Sequence, residues 1–411
     1  MRVIQIPRRF VRSHWGGTET VILETSKCLL SLGHYTEIFC PAALSKVERE
    51  RVDGVPIRRF DYFYPYFGLS LAAREQMDLK GGNLFSFSLL RELHRFPKLD
   101  LIHLHTGKRL GGIGRYVAAA RRIPYVISLH GGVYDVPSGE AQTWTASSRD
   151  AFEWGKTLGW WVGARRVLED AAAIICVGRK EMEEAQRRHP GRNVVHLPNG
   201  VDAQRFASGN GKAFRERHGI APAAFVILAM GRIDPQKNQR LAVRLLAELP
   251  DAVHLLLIGP VTSPAYEADL RADITSLGVA HRVTLIPGIE SHDPDLVNAY
   301  HASDLFLLPS VHEPFGIVIL EAWAAGLPVL ASNVGGVPSF VVDGRDALLF
   351  DTGDLPRLTR HVRDLMADRE MRCSLAEAGR TKAVEEYGWD RITRRLGNIY
   401  EEAIRENSLR Q

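Results

Sequence analysis

The chain has 411 residues, 45% of them hydrophobic and 24% charged, and a formal net charge of +4 at pH 7. That length exceeds one ordinary core and asks for two domains, and the composition is globular rather than disordered or fibrous. No apolar run approaches the roughly 20 residues that cross a bilayer, and the mildly basic balance suits a solvated surface first, then an acidic ligand or an anionic membrane.

The N-terminal MRVIQIPRRFVRS has too short an apolar core for a secretory signal. Its VIQI (3–6) is the first expected strand. A polar loop leads on to Gly16-Gly17, and a helical run, TETVILETSKCLLSL (18–32), follows and stops at Gly33. Further strands are expected at TEIFC (36–40), LIHLH (101–105), PYVISLH (124–130), AAIICV (172–177) and NVVHLP (193–198). The polar, glycine-containing stretch NGVDAQRFASGNGKAF (199–214) marks a boundary. Beyond it strands recur at FVILAMG (225–231), VHLLLIG (253–259), RVTLIPG (282–288), LFLLPS (305–310), PVLAS (328–332) and ALLF (347–350), with helices such as RLAVRLLAEL and SPAYEADLRADITSL between. Alternation of this kind specifies βαβ units and parallel sheets, and no repeat of fixed period interrupts it. The expected fold class is α/β, two doubly wound, Rossmann-like parallel-sheet domains in tandem. Cys28, Cys40, Cys176 and Cys373 lie far apart without a CxxC pair, as expected of reduced thiols in a cytoplasmic protein.

In such sheets ligands bind beyond the carboxyl ends of the strands, so the post-strand loops carry the chemistry. Gly16-Gly17 precedes a helix whose N-terminal N–H groups suit a phosphate, although the pair also reads as a tight turn and fails the G-x-G-x-x-G dinucleotide pattern. GRIDPQKN (231–238) sets Arg232 and Lys237 on one loop, a bidentate fork and a compact charge fit for a diphosphate, or else a solvated basic loop. In HEPFGIVILEAWAAGLPVLAS (312–332) two carboxylates, Glu313 and Glu321, interrupt an apolar segment with seven residues between them. A helix from about Gly316 to Ala325 would aim the backbone N–H groups of Phe315, Gly316 and Ile317 at an anion. Buried carboxylates need donors, and sugar hydroxyls supply them; an internal arginine or a helix cap is the alternative. HDPD (292–295) contains a D-x-D, which precedes a helical run and reads as a helix cap rather than a metal site.

Taken together, GGTE (16–19), SLHG (128–131), GRIDPQKN (231–238) and PSVHEPFGIVILEAWAAGLPVLAS (309–332) resemble the retaining glycosyltransferases of family 4 over nearly the whole chain. The resemblance implies the GT-B fold: an acceptor-side domain, 1–200, faces a nucleotide-sugar domain, 201–388, across a cleft. It also implies that the last helix, 389–405, packs back on the first domain through Trp389 and Ile399-Tyr400. Glu321 would hold ribose hydroxyls. Glu313 and the backbone of Phe315, Gly316 and Ile317 would hold the donor sugar. Arg232 and Lys237 would neutralise the leaving diphosphate, with Gly16-Gly17 touching it from the other domain, and His130 would stand beside the transferred sugar. One departure is Asn238, where the family often has glycine after the lysine.

The implied reaction moves a hexosyl unit from a nucleoside-diphosphate sugar, UDP- or GDP-linked foremost, to a hydroxyl of a carbohydrate or lipid-linked acceptor, in polysaccharide or glycolipid synthesis. Neither a cofactor nor a metal is expected, nor any nucleic-acid partner. An epimerase or hydrolase acting on sugar nucleotides, or a non-catalytic subunit that binds them, are the alternatives. The aromatic-rich FDYFYPYFGLSL (60–71) and NLFSFSLL (83–90), with Trp144, Trp154, Trp160 and Trp161, would line an acceptor groove, touch a membrane peripherally, or simply pack in the core.

Overall fold

The computed structural model describes residues 1–79, 81–131, 134 and 151–409. The chain forms two compact units, Met1–Pro198 with Asp390–Gln411, and Asn199–Trp389.

In the first unit the strands are β1 (Arg2–Ile6), β2 (Tyr35–Pro41), β3 (Arg49–Val52), β4 (Val55–Phe60), β5 (Tyr66–Phe67), β6 (Leu101–Leu104), β7 (Tyr125–Leu129), β8 (Phe152–Glu153), β9 (Ala173–Cys176) and β10 (Val194–His196). Eight of them make one sheet in the order β10-β9-β7-β6-β1-β2-β4-β3, while β5 and β8 pair separately. The central strands are buried on both faces, which is why they read as continuous apolar runs. All pairings in the large sheet are parallel except β3 with β4. That hairpin turns on Asp53-Gly54, with φ of +48° and +82°, the backbone that a two-residue turn between twisted strands demands. The last helix, Trp389–Leu409, buries Ile392, Leu396, Ile399, Tyr400 and Ala403 along one face. Its first residue behaves differently from the expectation: Trp389 stays with the second unit, where a Cβ on Gly200 would fall 2.6 Å from its ring.

The second unit holds β11 (Phe225–Met230), β12 (Val253–Ile258), β13 (Val283–Ile286), β14 (Leu305–Leu308), β15 (Val329–Ser332) and β16 (Leu348–Phe350). They form one parallel sheet in the order β13-β12-β11-β14-β15-β16. Ile227, Leu255, Leu305 and Leu330 from its centre pack against Leu245, Leu270 and Val362 of the covering helices. Among the described residues no helix is long and apolar enough to cross a membrane.

Candidate active site

Strand order places the crevices. In the second unit the chain runs from β11 outward to β12 and β13, then returns to β14 on the other side of β11. The reversal leaves a gap beyond the carboxyl ends of β11 and β14, bordered by residues 231–238 and 309–316. The two loops are stitched together. Val311 N–H donates to the Gln236 carbonyl at 2.9 Å, and the Gln236 amide donates to the His312 carbonyl at 3.0 Å. Lys237 Nζ reaches Glu313 Oε2 at 2.5 Å, and Ser310 Oγ donates to the same oxygen at 3.3 Å. Arg232 bonds Gln236 at 2.8 Å and Asp234 at 3.1 Å, and its side chain is 40% exposed. Asn238 sits at φ +54°, ψ +41°, just before the helix Gln239–Ala247. Asparagine is the non-glycine residue that best tolerates this left-handed backbone, so the loop keeps its turn where the family often has glycine.

Glu313 is buried, with 6% exposure. Three residues on, Gly316 lies at φ +93° ahead of the helix Ile317–Ala324, and no side chain caps that helix end. The side chain of Phe315 is buried and stacked on Phe340, ring centroids 4.5 Å apart, so it anchors the loop. A second glycine pair wedges the loop from behind. A Cβ on Gly335 would fall 2.1 Å from the Glu313 carbonyl oxygen, and one on Gly336 2.0 Å from that of Pro314. Glu321, half-buried inside the helix, accepts a 2.6 Å hydrogen bond from the Tyr300 hydroxyl. Burial raises its pKa, and the Tyr300 bond works against the rise.

The first unit has the same reversal: β1 leads outward to β2 and β4, and β6 lies on its other side. Gly16 and Gly17 follow β1, with Gly16 extended at φ −146° before the helix Gly17–Ser31. That helix end already has a carboxylate beside it. Glu19 is buried, and a Cβ on Gly16 would lie 3.3 Å from its Oε2. Arg9 stands 3.5 Å from Glu19, while burial pushes the Glu19 pKa up. His130 follows β7, and its Nε2 lies 2.8 Å from Nδ1 of His105, which follows β6.

The structure therefore brings Lys237 into direct contact with Glu313, links Arg232 to that loop through Gln236, and sets Phe315, Gly316, Ile317 and Glu321 on the adjoining helix. Gly16, Gly17 and His130 belong to the first unit. Sequence reasoning missed Tyr300, Ser310, Gly335, Gly336 and His105. Ser310, His105 and the glycine pair each follow a strand, which was the available signal, whereas Tyr300 lies inside a helix. Asp293 caps the helix Pro294–His301 by accepting from Asp295 N–H at 2.9 Å, the cap expected of HDPD. The aromatic stretches divide. Tyr64, Leu84 and Phe85 are core, and the Tyr62 and Tyr64 hydroxyls both donate to Asp78, at 2.7 and 2.9 Å. Phe67, Phe87, Phe152 and Trp160 are exposed, and Phe67 stacks on Phe152. Trp144 lies outside the described residues.

Residues 15–205 match the family described as Glycosyltransferase Family 4, and residues 211–382 match Glycosyl transferases group 1. The D-inositol 3-phosphate glycosyltransferase of Xylanimonas cellulosilytica is 30% identical over 96% of this chain and 94% of its own. A GDP-mannose-dependent alpha-(1-6)-phosphatidylinositol monomannoside mannosyltransferase of Mycolicibacterium smegmatis is 33% identical over 57% of this chain and 63% of its own. Among solved structures, Anabaena HepE in complex with UDP superposes with a TM-score of 0.73 at 20% identity, over 98% of this chain and 100% of that one. The chain belongs to the family 4 glycosyltransferases and has their GT-B fold.

Proposed function

We propose that this glycosyltransferase moves a hexosyl unit from a nucleoside-diphosphate sugar to a hydroxyl of a carbohydrate or lipid-linked acceptor. In this reading it retains the anomeric configuration and serves polysaccharide or glycolipid synthesis in the cytoplasm or, where the acceptor is lipid-linked, at the membrane face. The observation that carries the reading is the crevice of the second unit. There a buried ammonium–carboxylate pair, an uncapped helix end and a second carboxylate share two adjoining loops and one helix. Such a site offers cationic and N–H donors for phosphates beside carboxylate acceptors for hydroxyls.

Glu321 takes the ribose hydroxyls, with Tyr300 fixing one of its oxygens. Glu313 and the backbone of Phe315, Gly316 and Ile317 take hydroxyls of the sugar. Arg232 and Lys237 meet the charge that grows on the departing diphosphate, the electrostatic contribution that is usually largest in such transfers. In the first unit, Gly16 and Gly17 offer backbone to a phosphate and His130 serves the transferred sugar. The anomeric C–O bond to the diphosphate breaks as the bond to the acceptor oxygen forms on the same face. The acceptor proton passes to the leaving phosphate oxygen, so neither a protein base nor a metal is required. Glycosidase chemistry would place both carboxylates at the scissile bond, whereas here Glu321 is given to the ribose.

The mannosyltransferase relative is named for GDP-mannose and the HepE crystal holds UDP, which puts these two nucleotides first in the test. Calorimetry with UDP, GDP and ADP should show one of them binding at micromolar strength. Glu321→Ala should weaken that binding about ten-fold or more, the loss of one or two charge-assisted hydrogen bonds. Unchanged affinity in a folded Glu321→Ala protein would sink the ribose assignment.

A further inference from the structure

Six side chains of the first unit form one hydrogen-bonded chain that ends at His130, and the reaction described above uses only the last of them. His130 Nε2 lies 2.8 Å from His105 Nδ1, and His105 Nε2 lies 2.8 Å from Gln5 Oε1. The Gln5 amide nitrogen donates to Tyr400 Oη at 3.4 Å. Tyr400 Oη is in turn 2.6 Å from His103 Nδ1, and His103 Nε2 is 2.8 Å from Ser128 Oγ. The members come from β1, β7, the loops after β6 and β7, β6 itself, and the last helix. Gln5 and Tyr400 are fully buried, and His103, His105 and Ser128 are exposed by 9% or less.

Each link holds one proton, and the orientation of the Gln5 amide sets the direction of the links to His105 and His130. The Gln5 amide has two unlike ends, an oxygen that only accepts and a nitrogen that only donates. With Oε1 on His105, that ring carries its proton on Nε2 and has a bare Nδ1. The bare Nδ1 accepts from His130 Nε2–H, which leaves the Nδ1 of His130 without a proton. On the other side, Tyr400 Oη accepts from Gln5 and so has its own proton to give to His103 Nδ1; in that arrangement His103 Nε2–H donates to Ser128. Burial keeps all three rings neutral: it pulls the His103 pKa down to about 3, that of His130 down to about 4, and that of His105 well below the ordinary range.

We propose that Gln5 and Tyr400 are positioning residues that lock His130 in its Nε2–H tautomer, so that its Nδ1 stands as a pure acceptor and selects a sugar hydroxyl able to donate. The selection of a sugar rests on the proposed transfer reaction, whereas the tautomer does not. An imidazole without this lock would present a donor part of the time and donate to hydroxyl and ether oxygens alike.

The test is nitrogen–proton correlation spectroscopy on the full chain labelled with 15N-histidine, which reports which ring nitrogen holds the proton. In the wild type His103, His105 and His130 should each carry it on Nε2 between pH 6.5 and 8. Tyr400→Phe keeps the ring and its packing but frees one side of the Gln5 amide. His130, two links further along, should then populate both tautomers, a change that loss of mere packing would not produce. Donor kcat/KM should fall about ten-fold in the variant, mainly through KM, the loss of one well-oriented hydrogen bond. Rates with a donor lacking the contacted hydroxyl should be equal in the two proteins. A wild-type His130 protonated on Nδ1 overturns the proposal without any variant, and so does an unshifted tautomer in folded Tyr400→Phe. Because the spectra need no donor, a lock that holds in a protein that transfers no sugar would reject the transfer reading alone.

Discussion

Lys237 and Glu313 account for each other's burial. Their side chains are 15% and 7% exposed and meet at 2.5 Å. Removing one partner of such a pair strands a buried charge. Lys237→Ala should therefore destabilise the second unit by about 3 kcal/mol in urea unfolding. Combining Lys237→Met with Glu313→Gln should recover most of that loss, while transfer stays down about 100-fold if, as proposed, Lys237 shares the diphosphate charge with Arg232. Unaltered stability in Lys237→Ala alone would show that the pair does not hold the loop. Both residues were legible in the sequence, one assigned to a phosphate and one to a sugar, but their contact was not. They stand 76 residues apart, and only the adjacency of β11 and β14 joins them. Tyr300 was illegible for a similar reason: it lies on a different helix, and an ordinary core tyrosine looks the same in sequence.

The strands buried on both faces were legible almost to the residue, because a parallel sheet covered by helices leaves no polar alternation to misread. The hairpin β3–β4 was not. Its sequence, RERVDGVPIRRF, carries five charges on its strands and buries only one face of β4. The Asp53-Gly54 turn was the available signal. The loop that follows β15 matters as much as any strand. Gly335 and Gly336 touch the backbone of Glu313 and Pro314, and Gly336 N–H donates to the Glu313 carbonyl at 2.8 Å. Gly336→Ala must therefore push the Glu313 loop away from β15. Stability should fall by about 1–3 kcal/mol, as for other overpacked sites, and donor KM should rise, with the fold intact by circular dichroism. Normal donor KM in this variant would mean that the loop does not set the sugar subsite.

Acid should loosen the first unit through its neutral histidines. Burial lowers the pKa of His103 and His105 from an ordinary 6.5, so below that pH the unfolded chain binds protons that the folded one refuses. Stability is thus complete above pH 6.5 and is lost as the pH falls. Glu19 and Glu321, whose pKa values burial raises, act in the opposite sense. The comparison that isolates the histidine is His105→Gln, whose stability between pH 6.5 and 5 should fall less steeply than the wild type's, the difference in slope approaching about 1.4 kcal/mol per pH unit towards pH 5. Parallel slopes would mean that His105 is protonated in the folded protein. The chain's path through its two units has a further consequence, in the order of assembly. The second unit is one unbroken stretch, Asn199–Trp389, whereas the first begins at Met1 and takes in the last helix. During synthesis the second unit has all its residues, and with them the Lys237–Glu313 crevice, while the first still lacks the helix that carries Tyr400. A nascent chain would thus have every residue of the Lys237–Glu313 crevice before it has the helix whose Tyr400 joins the hydrogen-bonded chain to His130.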